Sequence, residues 1–343
     1  MGGRRGPSAP APAGAGGPEV LRGKGEARGW ARAARAAGAR VALVPTMGCL
    51  HAGHLALVAE AAALADRVVV SIYLNPAQFA PGEDFGSYPR RAAADLEALA
   101  RQGLCDAVFL PSEGLYEDVL EAEREASGAA EGTGAGAAEG TGAGAAEGTG
   151  AGAGAGGQPS ARDLNQTWVT VERLQRGLCG GSRPTFFRGV ATTVCKLFNL
   201  LDPHVAVFGE KDWQQLAVIR RMVRDLDFDV EIVGGAVVRE DDGLALSSRN
   251  LRLSPRDRVR APALHAALQA ARVRVQGGER LVGGLVEEVR AAVVDAGAEV
   301  EYVECVDKDS LQRIEVLEAP QEALLALAAH FGSVRLIDNI SLD

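Results

Sequence analysis

Interleaving is the feature that most constrains this chain: short, unbroken apolar runs alternate with stretches of helical spacing. The runs occupy residues 40–44, 68–74, 107–110, 205–208 and 230–233. The helical stretches occupy 53–65, 95–102, 190–201 and 213–226, with another over 19–39 at the start. A strand that is apolar at every position has no face to give to water, so it belongs in a sheet covered on both sides. Helices that return the chain between such strands make the sheet parallel. The expected fold class is therefore α/β, with a Rossmann-like doubly wound parallel sheet over residues 18–237. From Val238 the pattern changes to a loop, two helices and late strands at 301–306 and 333–337. That change predicts a smaller α+β C-terminal lid domain over 238–343. The border of two such domains is a common place for a ligand.

Two segments do not fit a core. The first 17 residues are rich in Gly, Ala and Pro, carry Arg4 and Arg5 and lack acids. They are read as a disordered tail, with a transit peptide as the alternative. Residues 128–151 write the octapeptide GAAEGTGA three times within a low-complexity Gly/Ala insertion over 125–160. Such a segment has almost no apolar side chain to set against its ordering entropy, so it receives neither structure nor function. The remainder of the 343 residues is long enough for two cores. A formal net charge of −9 speaks against a nucleic-acid partner. No apolar run nears the roughly 20 residues of a membrane-spanning helix, so no membrane is expected. The five cysteines are odd in number and lack C-x-x-C spacing. They fit reduced thiols and a cytoplasmic location, with an organelle left open by the tail.

Four polar clusters carry chemistry, three of them just past the carboxyl end of a predicted strand. The first, Pro45-Thr46-Met47-Gly48-Cys49-Leu50-His51-Ala52-Gly53-His54, follows the first apolar run and opens a helix. Helix-terminal N–H groups and two imidazoles suit a phosphate. Two histidines with no further ligand at metal spacing cannot complete a zinc site, so no metal ligands are assigned. Asn75 and Gln78 follow the second run, and Gly209-Glu210-Lys211-Asp212 with Gln214 and Gln215 follow the fourth. Lysine supplies a point charge for phosphate, and a carboxylate can hold lysine or metal. Last, Leu246-Ser247-Ser248-Arg249 lies on a loop hinged at Gly243, able to close over a triphosphate and exclude water. Each cluster alone also fits a capped turn or a solvated charge run. Their recurrence at one sheet edge favours a nucleotide site.

Together with EDFGSYPR (83–90), RPTFFRGVATTVCKLFNLLDP (183–203) and RLIDNI (335–340), these stretches resemble the pantoate–β-alanine ligases, or pantothenate synthetases, of the HIGH-motif nucleotidyltransferases. The resemblance covers residues 19–343 apart from the insertion. Phe186, where bacterial members commonly have histidine, is similar to the plant and algal branch. The resemblance implies a two-step ligation through pantoyl adenylate, with ATP as substrate, Mg2+ accompanying it, and a homodimer. It places ATP on Met47, Gly48, Cys49, Leu50, His51, Ala52, Gly53 and His54, on Gly209, Glu210, Lys211 and Asp212, on Val238, and on Leu246, Ser247, Ser248 and Arg249. His54 matches the family's proton donor, with His51, Lys211 and Arg249 as further catalytic groups. Gln78 and Gln215 match the glutamines that hold pantoate, Gln78 also serving β-alanine. Asp95 is assigned an exposed helix position, with an outer contact to magnesium as the alternative, and Cys49 is given no chemical role.

Elementary chemistry agrees with this assignment. A cation clamped on the pantoate carboxylate would stabilise the ground state of a nucleophile, whereas neutral amides orient it without that cost. Cations belong on the phosphates, where charge grows. A nucleotidyltransferase acting on a phosphorylated acceptor would share the histidine turn but not both glutamines. A non-catalytic nucleotide binder would not need His54, Lys211 and Arg249 together.

Overall fold

The computed structural model describes residues 17–79, 85–86, 88–112, 114–116 and 165–342. The tail apart from Gly17, the 125–160 insertion, and Glu83, Asp84 and Ser87 of the EDFGSYPR stretch lie outside the described residues.

The apolar runs form a six-stranded sheet in which every pairing is parallel. Its strands are β1 (Glu19–Leu21), β2 (Val41–Thr46), β3 (Arg67–Ile72), β4 (Ala107–Phe109), β5 (Val205–Gly209) and β6 (Glu231–Gly235). Their spatial order is β1-β4-β3-β2-β5-β6. The helices of this part are α1 (Lys24–Ala36), α2 (Ala52–Leu64), α3 (Ala92–Gln102), α4 (Leu178–Ser182), α5 (Phe186–Leu201) and α6 (Trp213–Asp225). Val41, Leu43, Val69, Val205 and Val207 are fully buried, as unbroken apolar strands require. The chain lays strands outward on one side from β2 and on the other from β5, so the order reverses between these two neighbours. In open α/β sheets that reversal leaves a crevice at the carboxyl ends of the strands, and ligands bind there.

One reading is corrected at the start of this sheet. Residues 19–21 are not helical but form edge strand β1 beside β4, and the helix begins only at Lys24. Three residues on one edge are too few to display a period of two against the helical stretch that follows.

Beyond β6, helices α7 (Pro255–Arg260), α8 (Ala263–Gln276) and α9 (Val282–Asp295) precede an antiparallel sheet of β7 (Glu299–Asp307), β8 (Ala323–Phe331) and β9 (Val334–Ser341). Two helices and two late strands were expected here. The described residues add the short α7 and the whole of β8. Its sequence, ALLALAAHF, has the composition of a helix, yet β8 is the central strand and is buried at every residue except His330. Pairing on both sides overrides intrinsic propensity. Leu264, Leu268, Val289, Leu325 and Phe331 build the core between this sheet and its helices.

Both sheets lie in one compact unit, residues 17–112 with 169–342. A second unit spans 113–168, and within it Tyr116 stacks on Trp168 at 5.7 Å.

Candidate active site

Two turns leave the sheet side by side at the switch point. The first follows β2. Thr46 Oγ1 donates to the Ser71 carbonyl at 2.9 Å and accepts the Gly48 N–H at 3.2 Å, ending the strand. Gly48 (φ 87°) and Cys49 (φ 54°) then take left-handed conformations in succession. A side chain at Gly48 would also approach Asp95 and Ile72 at 3.1 Å, so glycine is required there for conformation and for space. Successive N–H groups in such a turn converge on an anion. Here the anion is the carboxylate of Asp95 on α3, which accepts the Cys49 N–H at 2.9 Å and the Leu50 N–H at 2.7 Å.

Asp95 is 3 % exposed, so its assignment to an exposed helix position is wrong. It sits on the inner face of α3 and closes the histidine turn from beneath. The outer contact to magnesium also loses support, because both carboxylate oxygens are engaged by backbone and Asp95 does not line the cleft.

The imidazoles are held by the same backbone. His51 Nδ1 accepts the Gly53 N–H at 3.2 Å, and His54 Nδ1 accepts the His51 N–H at 3.3 Å. An acceptor Nδ1 leaves Nε2 as the N–H of each neutral ring. The rings lie 4.1 Å apart between centroids. Burial, then the charge of Lys211, pushes His51 down to about 4, with Asp212 opposing. Burial, then His51 and Lys211, pushes His54 down to about 3. Near neutral pH the turn therefore presents two uncharged donors.

The second turn follows β5. Residues Glu210–Asp212 form a single 3₁₀ turn before α6. The Lys211 side chain is only 19 % exposed, and its Nζ lies 3.8 Å from Asp212. This turn is secured from another part of the chain. Asn339 on β9 donates through Nδ2 to the carbonyls of Glu210 at 3.0 Å and Lys211 at 2.9 Å.

Around these turns lies a cleft of about 740 Å³, within the range that holds a nucleotide-sized ligand. Met47, His51, Gly53 and His54 line it from the first turn, and Gly209, Lys211 and Asp212 from the second. Gln78, Gln215 and Val238 also line it, as do Leu246, Ser247, Ser248 and Arg249. Gly48, Cys49, Leu50, Ala52 and Glu210 do not, although sequence reasoning grouped them with the ATP contacts.

Asn75, Gln78, Gln214 and Gln215 all line the cleft, and two of them, Asn75 and Gln214, are also bound to backbone. Asn75 is buried, with Oδ1 accepting the Ala77 N–H and Nδ2 donating to the Gly189 carbonyl at 3.1 Å. Gln78, on the same turn, reaches the cleft. Gln214 donates to the carbonyls of Leu174, Arg176 and Gly177 and accepts the Cys179 N–H, and both it and its neighbour Gln215 line the cleft.

The serine loop is a tight hairpin, Leu246 N–H bonding to the Val238 carbonyl at 3.0 Å. Ser247 caps the turn that follows, its Oγ accepting the Arg249 N–H at 3.2 Å. Ser248 Oγ meets the Tyr88 hydroxyl at 3.0 Å, and the Arg249 guanidinium lies 5.9 Å from the Tyr88 ring centroid. Sequence reasoning missed Tyr88, Arg183, Asp338 and Asn339 as individual residues. Their only signal was membership of the stretches EDFGSYPR, RPTFF and RLIDNI.

Among the described residues no group of three His, Cys, Asp or Glu side chains could hold a metal ion. Asp212 and Asp338 are the carboxylates that line the cleft, and Asp338 is bound by Arg239. With Lys211, Arg183 and Arg249 also on its walls, the cleft suits a polyanion.

The family model described as pantoate-β-alanine ligase matches residues 19–341. A pantoate–β-alanine ligase of Oryza sativa subsp. japonica is 47% identical over 330 residues, 95% of this chain and 97% of its own. The crystal structure of pantothenate synthetase from Thermus thermophilus superposes with a TM-score of 0.74 at 36% identity, covering 94% of this chain and 99% of that one. A Francisella tularensis pantoate-β-alanine ligase, complexed with β-γ ATP and β-alanine, gives a TM-score of 0.68 at 26% identity, covering 95% and 98%.

Proposed function

The chain belongs to the pantoate–β-alanine ligase family, and we propose that its cleft works in two half-reactions divided between the two turns and the serine loop. In the first, the (R)-pantoate carboxylate attacks the α-phosphorus of ATP, forming a P–O bond as the bond to pyrophosphate breaks. In the second, the β-alanine amine attacks the acyl carbon of pantoyl adenylate, and AMP leaves as the amide of pantothenate forms.

Gln78 and Gln215 orient pantoate through hydrogen bonds while leaving its carboxylate charge available for attack. Lys211 and Arg249 meet the negative charge that develops on the phosphates. His51 and His54 contribute Nε2–H hydrogen bonds to phosphoryl oxygens. Without ligand His54 is held neutral, its protonation pushed down to about 3, and it offers phosphoryl oxygens an Nε2–H hydrogen bond. The segment from Val238 onward serves as the lid, keeping water from the adenylate until the amine arrives.

Magnesium enters this proposal with ATP. Asp212 is the cleft carboxylate best placed to help hold it, and the ion would neutralise phosphate charge while leaning mainly on phosphate oxygens and water. The homodimer carried by the family resemblance is part of the same reading, and sedimentation equilibrium tests it.

The observation that carries the reading is the joint presence of Gln78 and Gln215 with His54, Lys211 and Arg249 on one cleft. The test is exchange of labelled pyrophosphate into ATP, dependent on pantoate and run without β-alanine. Exchange is the expected result; its absence from folded protein at millimolar-scale magnesium would sink the adenylation step.

A further inference from the structure

We infer that Asp338 and Asn339, consecutive residues on β9, are positioning residues for adenylation that fix Lys211 relative to the serine loop. The inference rests on the proposed use of Lys211 and Arg249 against the triphosphate.

Successive side chains of a strand leave it on opposite faces. Both residues are buried, and each reaches a different cation-bearing segment. On one side, the two N–H bonds of the Asn339 amide go to the adjacent carbonyls of Glu210 and Lys211, at 3.0 and 2.9 Å. This fixes the backbone from which the lysine springs. On the other side, the Asp338 carboxylate takes a bidentate pair from Arg239, at 2.7 and 2.9 Å. Arg239 also donates to the Gly243 carbonyl at 3.2 Å and is bridged to Ala245, one residue before Leu246 and two before Ser247. The two halves are joined as well, since the Asn339 N–H donates to Asp338 Oδ1 at 2.8 Å. One strand thus sets the separation of two segments that come from either side of β6 in sequence.

Lys211 has a long, flexible side chain, so its effective placement depends on its backbone. A misplacement of about 1 Å at a reacting centre can cost on the order of 100-fold in rate. Adenylation engages three phosphates at once and needs both segments in register. Aminolysis of the adenylate engages one phosphate and needs that register less.

The test uses the full-length protein and the variant Asn339→Asp, which keeps the side-chain shape and turns the two donors into acceptors facing carbonyls. Pantoate-dependent pyrophosphate exchange should lose at least about tenfold in kcat. The KM for pantoate should stay unchanged, and single-turnover aminolysis of added pantoyl adenylate by β-alanine should remain within about threefold of the unsubstituted protein. Combined with Lys211→Ala, the Asn339 substitution should cost nothing further, because residues acting through one group are non-additive.

Parallel loss of both half-reactions, full retention of exchange, or additive losses in the double variant would each overturn the inference. Should Asn339→Asp not fold by circular dichroism, Asn339→Ala is measured in the same way. If the unsubstituted protein shows no exchange, the reading of the cleft fails instead, so the two failures are told apart.

Discussion

The histidine turn and the lysine turn leave adjacent strands of the same sheet, and each links a buried strand to a helix across a short polar segment. They are nonetheless held in different ways. The histidine turn is closed by Asp95, from a helix of the same parallel sheet, and by bonds from its own backbone to its own imidazoles. The lysine turn is held at its carbonyls by Asn339, from the C-terminal sheet. One is held largely within the parallel sheet's own part of the chain; the other takes its position from β9 of the C-terminal sheet. On the proposed reaction, neutral donors would be preset within one sheet, whereas the cation is registered to a strand that also holds Arg239.

The comparison breaks most sharply at the side chains themselves. His54→Ala and Lys211→Ala should each lower pyrophosphate exchange by about 100-fold or more in protein that remains folded by circular dichroism. Near-normal exchange in either variant would remove that turn from the chemistry. The next largest effect belongs to Asp95→Ala, which strands the N–H groups of buried Cys49 and half-buried Leu50. At about 1–3 kcal/mol for each unsatisfied group, denaturant unfolding should show a loss of several kcal/mol. Asp95→Asn keeps one acceptor and should lose less. Unchanged stability in Asp95→Ala would mean that the turn does not depend on its carboxylate.

These predictions also mark what the sequence made legible. Strand and helix alternation and most cleft-lining side chains of both turns were readable, because apolar runs and polar clusters report burial and strand ends directly; the strand order that makes the switch point was not. Asp95 was misread because its helix, AAADLEALARQ, places it one turn from solvent-facing residues, and only the tertiary fold brings a backbone turn beneath it. Asn339 was invisible for the same reason: its partners lie 128 and 129 residues away. Strand β8 was missed because alanine and leucine favour a helix until two neighbouring strands claim them.

Gln214 and Gln215 sharpen the distinction at the scale of two adjacent residues. Gln215→Ala should raise the KM for pantoate by about tenfold and leave the melting temperature alone. Gln214→Ala removes a side chain that satisfies four backbone groups. It should lower stability by about 2 kcal/mol while changing the KM for pantoate less than Gln215→Ala does. Equal effects of the two substitutions on both readouts would erase the division between a cleft amide bonded to backbone and its neighbour.

The smallest effect links the two turns through charge. His51 and His54 titrate at about 4 and about 3 when folded, against 6.5 for the free side chain. Between those limits the unfolded chain binds protons that the folded chain does not. Their contribution to stability is therefore complete above pH 6.5 and is lost as pH falls toward 4 and then 3. In the proton NMR spectrum neither ring should titrate between about pH 8 and 6. Burial is the first cause of both depressions, but Lys211 contributes to each. Lys211→Met should consequently move both midpoints upward while leaving them below 6.5. Midpoints that stay put would make the two turns electrostatically independent; midpoints that return to the free side chain's value would assign to the lysine what burial is held to do.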